Sequence, residues 1–431
     1  MHLFFFNLRL GVAQHRAGTD FLFRARPAQH QHIQLHTGAA LALQGQGVCA
    51  VIGQRGKGQA VALRQFCRYA VDGKGSSTRG HCAIAQQQGS ARRSERRQCV
   101  YHFVPGSAAK RLQPQEIHMV ILAPVAQTVG VLAIFGVAEA KKRRGKRIVV
   151  SAVEHSSIME SAKKLEDNGF DVVYIMPRED GTIHKEDVLE KVDENTILVS
   201  VMCVNNETGA IMNVTDIFSA VKAKNSDVIC HTDAVQAFGK ISLSASRLHA
   251  DLISVSGHKI HAPKGVGAIF VKKGVRLVPL HYGGEQEKKL RPGTEAIPLI
   301  AAMGVACGEF NIDKNYDYVS KLNSYAKDKL LKIDGVVLNS PENALPYVLN
   351  ISAGKVRSET MLHFLENLEV YVSSGSACAK GKPSYVLESM NIGRDRADSA
   401  LRISFSKFNT EADIDALCYG IEKGLKTLAH K

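Results

Sequence analysis

From residue 146 onward, apolar runs of strand length alternate with amphipathic helical segments, and this alternation limits the possible folds more than any other feature. The runs "RIVVSA", "FDVVYIM", "TILVSVMCV", "DVICHTDA" and "DLISVS" are continuous rather than alternating, the pattern of strands buried on both faces. Between them stand "SIMESAKKLEDNG", "HKEDVLEKVDE" and "VTDIFSAVKAKN", which carry helical spacing and a Gly or Asn stop. A further strand follows in "KGVGAIFVKKG". Such β-α-β repetition predicts an α/β fold, a mainly parallel sheet with flanking helices. Ligands of these sheets sit at the carboxyl ends of the strands. The residues just after each run therefore carry the functional information.

Those positions form a chemically coherent set. Glu154 and His155 follow the first run, Asn205, Asn206 and Glu207 the third, Asp233 and Gln236 the fourth, and Ser256, His258 and Lys259 the fifth. Each has a plain structural explanation when taken alone. His155 could cap a helix, Asp233 could sit in a turn, and "NNETG" is ordinary turn chemistry. His258 and His261 lack a third metal ligand at suitable spacing. Lys259 is harder to dismiss, because a lysine at the end of a buried strand either snorkels to water or has its pKa lowered by burial. A neutral lysine amine forms a Schiff base with an aldehyde, which points to pyridoxal phosphate. The ring nitrogen of that cofactor needs a carboxylate, for which Asp233 qualifies. Asn206 and Gln236 qualify as donors to its phenolic oxygen, Ser256 and His258 as phosphate ligands, and His155 as a lid over the ring.

The segments "VEHSSI", "VNNETG", "HTDAVQAFGK", "SGHKIHAPKGVGAIFV", "RPGTEAI", "SSGSACAKG" and "LRISFSKFNTEADID" together resemble the cysteine desulfurases of the NifS/IscS branch, in the class V aminotransferase group. The likeness covers about residues 132–431. It implies a pyridoxal-phosphate transferase of fold type I and a homodimer, with a cofactor-binding large domain at 132–298 and a smaller C-terminal α/β domain at 299–431. It also implies conversion of L-cysteine to L-alanine, with the sulfur held as a persulfide on Cys378. By the same resemblance Lys259 holds the cofactor and shuttles a proton, and His155 stacks on the ring. Asp233 pairs with the ring nitrogen, while Asn206 and Gln236 lie on the phenolic side. Ser256 and His258 bind phosphate together with Thr294 reaching across from the other subunit, and Arg402 clamps the substrate carboxylate. A Cys in a Ser/Gly-rich loop is by itself usually inert, but the "SSGSAC" context makes Cys378 the sulfur acceptor, with Lys380 and Lys382 favouring its thiolate. Cys378 is also the implied contact for sulfur transfer to an Fe–S scaffold or a tRNA- or cofactor-thiolating acceptor. Alternatives are another class V lyase, such as a selenocysteine lyase, or an inactive desulfurase body bearing a basic RNA- or partner-binding arm.

The first 131 residues do not share this likeness. Residues 1–130 hold 16 Lys/Arg against 4 Asp/Glu, while the remaining 301 hold 39 against 37, so the net charge of +14 belongs almost wholly to the N-terminal segment. That segment also holds 16 of the 18 glutamines and shows no sustained periodicity. It is therefore expected to be irregular or disordered. It is open to three explanations: a basic arm for RNA or acidic partners, built around "RRSERR"; a weakly patterned domain; or a stretch joined to the body by a frame error or rearrangement. The abrupt change in residue usage fits the last best. Nucleic acid is expected as a partner only through this segment.

Relatives carry a "SGGTEANN"-like phosphate-binding turn before the helix, a usual anion site. Here "APVAQTVGV" precedes "LAIFGVAEA", and Thr128 and Gly130 do not replace the turn by spacing. Weakened hold on the cofactor and impaired activity are the consequence. Met119 to Ala138 form 20 uncharged residues, long enough to cross a membrane. Pro124, Gln127, Thr128 and two glycines favour a buried core helix, so no membrane association is expected. Nine scattered cysteines without a C-x-x-C pair fit a reducing cytoplasm, and Cys203, Cys230, Cys307 and Cys418 lie in apolar runs that suggest burial.

Overall fold

The computed structural model describes residues 128–374 and 384–428 in full, and the backbone of four strands before them. The chain divides into two compact units, one of residues 1–111 with 297–308, the other of residues 112–296 with 309–431. In the first unit, β1 (Leu10–Gly11), β2 (Phe21–Ala25) and β3 (Gln31–Leu35) form a small antiparallel sheet in that order, with Phe23 opposite Ile33. The sequence reads as patternless here, but Phe21, Leu22, Phe23 and Ile33 are strand formers, and antiparallel neighbours need only short connections. The "RRSERR" cluster lies outside the described residues.

The second unit carries the expected α/β body. It begins with β4 (Ile117–Leu122) and α1 (Thr128–Lys141). These two elements replace the single helix considered for 119–138. Pro124 disfavours helix at the residue before it and removes a backbone donor, so strand and helix divide the apolar run. No helix among the described residues is long and apolar enough to cross a membrane. Next come β5 (Arg147–Ser151), α2 (Ser156–Asp167), β6 (Asp171–Ile175), α3 (Lys185–Lys191), β7 (Thr196–Ser200), α4 (Val214–Lys224), β8 (Ile229–Asp233), β9 (Leu252–Ser256) and β10 (Gly267–Lys272). Every strand and helix expected between residues 146 and 272 is present.

The seven strands pair in the order β4-β10-β9-β8-β7-β5-β6. All run parallel except β10, which is antiparallel to both β9 and β4. Helix α1 covers one face, burying Leu132, Ile134 and Val137 against Ile148, Val150, Leu198 and Leu252. Each such side chain contributes roughly 1.5–3 kcal/mol on leaving water. The helix is apolar on most of its circumference because α2 packs on it as well, close enough that a Cβ at Gly130 would meet Ile158 at 2.6 Å.

After α5 (Ile297–Gly308), which groups with the first unit, the chain forms α6 (Ile312–Leu330), β11 (Val336–Leu338), β12 (Val348–Ala353), α7 (Ser358–Glu366), α8 (Tyr385–Ser389), α9 (Arg394–Asp398), β13 (Ala400–Ser404) and α10 (Glu411–Thr427). The three strands make an antiparallel sheet in the order β11-β12-β13, and α10 packs on α6 and α7. Cys203, Cys230 and Cys307 are buried as expected, but Cys418 is only half-buried. It follows Leu417, which faces the core, and so lies on the flank of an amphipathic helix.

One buried charge fastens the sheet. Asp251, 2% exposed, precedes β9, accepts the Cys230 N–H at 2.9 Å, and pairs with Lys222 of α4 and with Lys272 of β10, the latter at 3.3 Å. Asp251→Ala leaves the Cys230 N–H unmatched and the half-buried Lys222 ammonium without its carboxylate. It is expected to cost about 3–5 kcal/mol of stability, measured by urea unfolding. A loss below about 1 kcal/mol would show that the triad is a screened surface pair instead.

Candidate active site

The site is built where β5, β7, β8 and β9 end. Beyond β9 the chain tightens into a single 3-10 turn, Gly257–Lys259. Gly257 is required there, since a Cβ would approach the Val266 carbonyl oxygen to 3.0 Å and a Val266 methyl to 2.9 Å. The turn presents Lys259, half-buried, at the sheet edge. Its positive charge acts on His155, Asp233, Lys240 and His258 alike, so its ammonium lies within electrostatic reach of all four. Ser256 Oγ and His258 Nδ1 are 2.6 Å apart at the same turn. Ser256 is buried and His258 exposed.

Asp233 ends β8 and is buried, with its Oδ1 accepting the Val235 N–H at 2.9 Å. Burial raises its pKa, and this hydrogen bond and the charges of His155 and Lys259 oppose the rise. The carboxyl is thus pushed toward neutrality by burial and drawn back toward ionisation by the Val235 N–H and the nearby Lys259 charge. His155 caps α2, its Nδ1 accepting the Ser157 N–H at 3.2 Å. The cap consumes Nδ1 and leaves Nε2 as the nitrogen that carries the proton in the neutral ring. Burial lowers the His155 pKa against the pull of Asp233, which favours a neutral imidazole. The helix cap and the catalytic candidate are the same residue.

The "NNETG" turn divides its labour. Asn205 is structural: its Oδ1 accepts the N–H groups of Glu207 and Thr208 at 2.8 and 2.9 Å, and its Nδ2 donates to the Val153 carbonyl at 3.0 Å. Gly209, at φ +76°, supplies the left-handed residue that closes the turn. Asn206 is left at the edge, and its carbonyl accepts Arg402 Nη1 at 3.3 Å. Arg402 comes from β13. Its Nη2 donates to Ser373 Oγ at 3.3 Å, and its Nε is buried with no partner among the described residues. Burial lowers its pKa while the nearby Glu207 raises it. Both existing bonds are long, so the guanidinium keeps capacity for an incoming carboxylate.

Three of the strand-exit residues make contacts that their positions in sequence do not reveal. Gln236 accepts a hydrogen bond from Lys240 Nζ at 2.9 Å. Glu207 is buried, which raises its pKa, and its carboxyl accepts Ser384 Oγ at 2.5 Å. Glu154 is fully buried, with Oε1 accepting Ser200 Oγ at 3.2 Å and Oε2 unpartnered. Burial, with the charge of Asp233 adding, pushes it up to about 8. Ser200 continues to His231 Nδ1 at 2.9 Å, and His231 Nε2 to Ser254 Oγ at 2.8 Å, a buried polar row across β7, β8 and β9. Thr294, expected to serve the site of the other subunit, is exposed on the loop before α5. Cys378 lies outside the described residues.

A lysine, a buried carboxylate and a capped imidazole at the carboxyl ends of a parallel sheet with one reversed strand define a pyridoxal-phosphate site of fold type I. The aminotransferase class-V family profile matches residues 128–417, and the chain belongs to that family. It is 36% identical over 304 residues to cysteine desulfurase IscS of Buchnera aphidicola subsp. Baizongia pistaciae, an overlap of 69% of this chain and 74% of that protein. It is likewise 36% identical over 301 residues to the mitochondrial cysteine desulfurase of Candida maltosa, covering 68% of this chain but only 61% of that one. A solved NifS-like protein superposes with a TM-score of 0.68 at 34% identity, over 72% of this chain and 83% of that structure. Proteins of this family depend on pyridoxal phosphate.

The donor set fits the ring of that cofactor. Asp233 offers a buried carboxyl drawn toward ionisation by the Lys259 charge, Lys259 the amine, and Asn206 and Gln236 buried amides beyond β7 and β8. On the phosphate side Ser256 and His258 are present; of residues 123–131, the stretch expected to stand in place of the phosphate turn, 123–127 lie outside the described residues and 128–131 form the first turn of α1.

Proposed function

We propose that this chain is a cysteine desulfurase that takes sulfur from L-cysteine, releases L-alanine, and carries the sulfur as a persulfide on Cys378. The convergence of Lys259, Asp233 and His155 with an Arg402 that keeps a buried, unpartnered Nε supports this most strongly. When bound, pyridoxal phosphate supplies an electron sink for negative charge developing at the substrate Cα. Asp233 would keep the ring nitrogen protonated, and Asn206 and Gln236 would donate toward the phenolic oxygen. Ser256, His258 and Thr294 of the partner subunit would hold phosphate.

Arg402 would orient the substrate by its carboxylate, using the fork that its two long bonds leave free. Lys259 Nζ would hold the cofactor and then move the Cα proton, and His155 would stack on the ring and assist through Nε2. The Cys378 thiolate would attack the substrate sulfur, forming an S–S bond as the Cβ–S bond breaks. The natural acceptor would be an Fe–S scaffold or a thiolation protein, the working form a homodimer, and the compartment a reducing cytoplasm. The last is supported by the free thiols Cys203, Cys230, Cys307 and Cys418.

Because the usual phosphate turn is replaced in sequence, cofactor is expected to dissociate readily, and turnover is to be measured with cofactor in excess. Equal molar yields of alanine and, with a thiol reductant, sulfide are the expected result. Cys378→Ser should cut both by about 10²-fold or more while leaving cofactor uptake unchanged. Full turnover in that variant would identify a lyase without an obligatory cysteine.

A further inference from the structure

Lys240 stands four residues beyond Gln236 in the turn that follows β8, and the chemistry above leaves it without a task. Its Nζ donates to Gln236 Oε1 at 2.9 Å and lies 5.5 Å from the centroid of the Tyr347 ring. Tyr347 is 8% exposed and leads directly into β12. Among the described residues no carboxylate pairs with Lys240. Burial first, then the like charges of Lys259 and Arg402, push its pKa down to about 7. A lysine held beside two other cations and answered only by an amide oxygen and a ring face costs stability. Ordinary packing would have been served by a methionine.

The single polar bond of this lysine has a directional consequence. A primary amide turned by 180° about its last torsion has nearly the same shape, and only hydrogen bonds decide which end is oxygen. In its charged form Lys240 only donates, so it fixes the Gln236 oxygen toward itself and turns the Gln236 NH₂ the other way. Gln236 Nε2 has no partner among the described residues, and it is not among the sealed, unmatched atoms. It is thus a donor held ready at the pocket rim.

We infer that Lys240 is a positioning residue: it locks the Gln236 amide so that the pocket offers an N–H, never a carbonyl, to an anionic oxygen of the bound cofactor, and it ties that donor to the C-terminal sheet through the Tyr347 ring. The inference rests on the pocket being the pyridoxal-phosphate site proposed above. A donor to an anionic oxygen is worth about tenfold in binding, and a carbonyl turned toward it costs as much again.

The test compares full-length wild type, Lys240→Met, Lys240→Arg, Gln236→Ala and the Lys240→Met/Gln236→Ala double variant. Cofactor dissociation constants and the pH midpoint of the bound cofactor's visible band are measured, with melting temperatures alongside. Lys240→Met should weaken cofactor about tenfold and move the band midpoint to higher pH, and Lys240→Arg should restore most of both. In the Gln236→Ala background, Lys240→Met should change neither, because the residue it acts through is gone. An unchanged midpoint in Lys240→Met, or the same loss in the Gln236→Ala background, overturns the inference while leaving the desulfurase proposal intact. Equal losses in the Met and Arg variants with lowered melting temperatures also overturn it, as a merely structural role. A wild type that takes up no cofactor removes the desulfurase proposal and this one together.

Discussion

Exchange of Lys259 for alanine is expected to lower alanine release from L-cysteine by about 10³-fold or more, and sodium borohydride should then fix no cofactor to the chain. The expectation follows from how the residue is held. Leu252–Ser256 are all buried, the Gly257 turn allows no other residue without a clash, and the side chain emerges within electrostatic reach of Asp233 and His155. Lys259→Arg should be no better than alanine, since a guanidinium keeps the charge but does not give up its proton to become a nucleophile. The rival amine is Lys240, pushed down to about 7 and so partly neutral at working pH. Peptide mapping after borohydride treatment of wild type separates the two. Label on Lys240 would refute the assignment of Lys259 as the cofactor-holding residue.

The body of this fold was legible because parallel strands buried on both faces are continuous apolar runs, and β5 through β9 are of that kind. Their exits were legible for the same reason: once the strand ends were known, His155, Asn206, Asp233 and Lys259 followed. β4 was not legible. "IHMVIL" runs through Ala123 into "PVAQTVGVLAIFGVA", and an apolar run of that length has no periodicity to separate a strand from a helix. Its partner, β10, lies about 150 residues on in sequence, with Met119 opposite Phe270. Arg402 was legible only through the family resemblance. Its contacts with Asn206 and Ser373 span 196 and 29 residues, so only the resemblance of "LRIS" to known desulfurases pointed to it. Lys240 is the subtler case. Its spacing of four from Gln236 was visible, but spacing says nothing about which end of an amide is held. Glu154 likewise stood at a strand exit, without any sign that one of its oxygens would be sealed away unmatched.

That sealed oxygen gives the second large expected effect, a stability difference that depends on pH. Glu154 titrates near 8 when folded and in the ordinary carboxyl range when unfolded. Its folded pKa is raised, so the stability it contributes is fully present below the unfolded value and is lost as pH rises toward 8. Each pH unit inside that window costs about 1.4 kcal/mol. His231, pushed down to about 3 by burial, works in the opposite sense: it contributes stability above its unfolded value near 6.5 and loses it as pH falls. Lys240, lowered to about 7, likewise gains stability as pH rises above that value. The wild-type curve alone therefore mixes opposing slopes, and the comparison with Glu154→Gln removes the other groups. Glutamine keeps the shape and stays neutral at every pH. Between pH 6.5 and 8, the stability of Glu154→Gln relative to wild type should rise by about 2 kcal/mol, measured by urea unfolding of both proteins at matched pH. Parallel curves across that interval would mean that Glu154 is ionised in the folded protein. The buried row from Glu154 through Ser200 and His231 to Ser254 would then hold a charge beside Asp233, and Asp233 would be the carboxyl kept neutral.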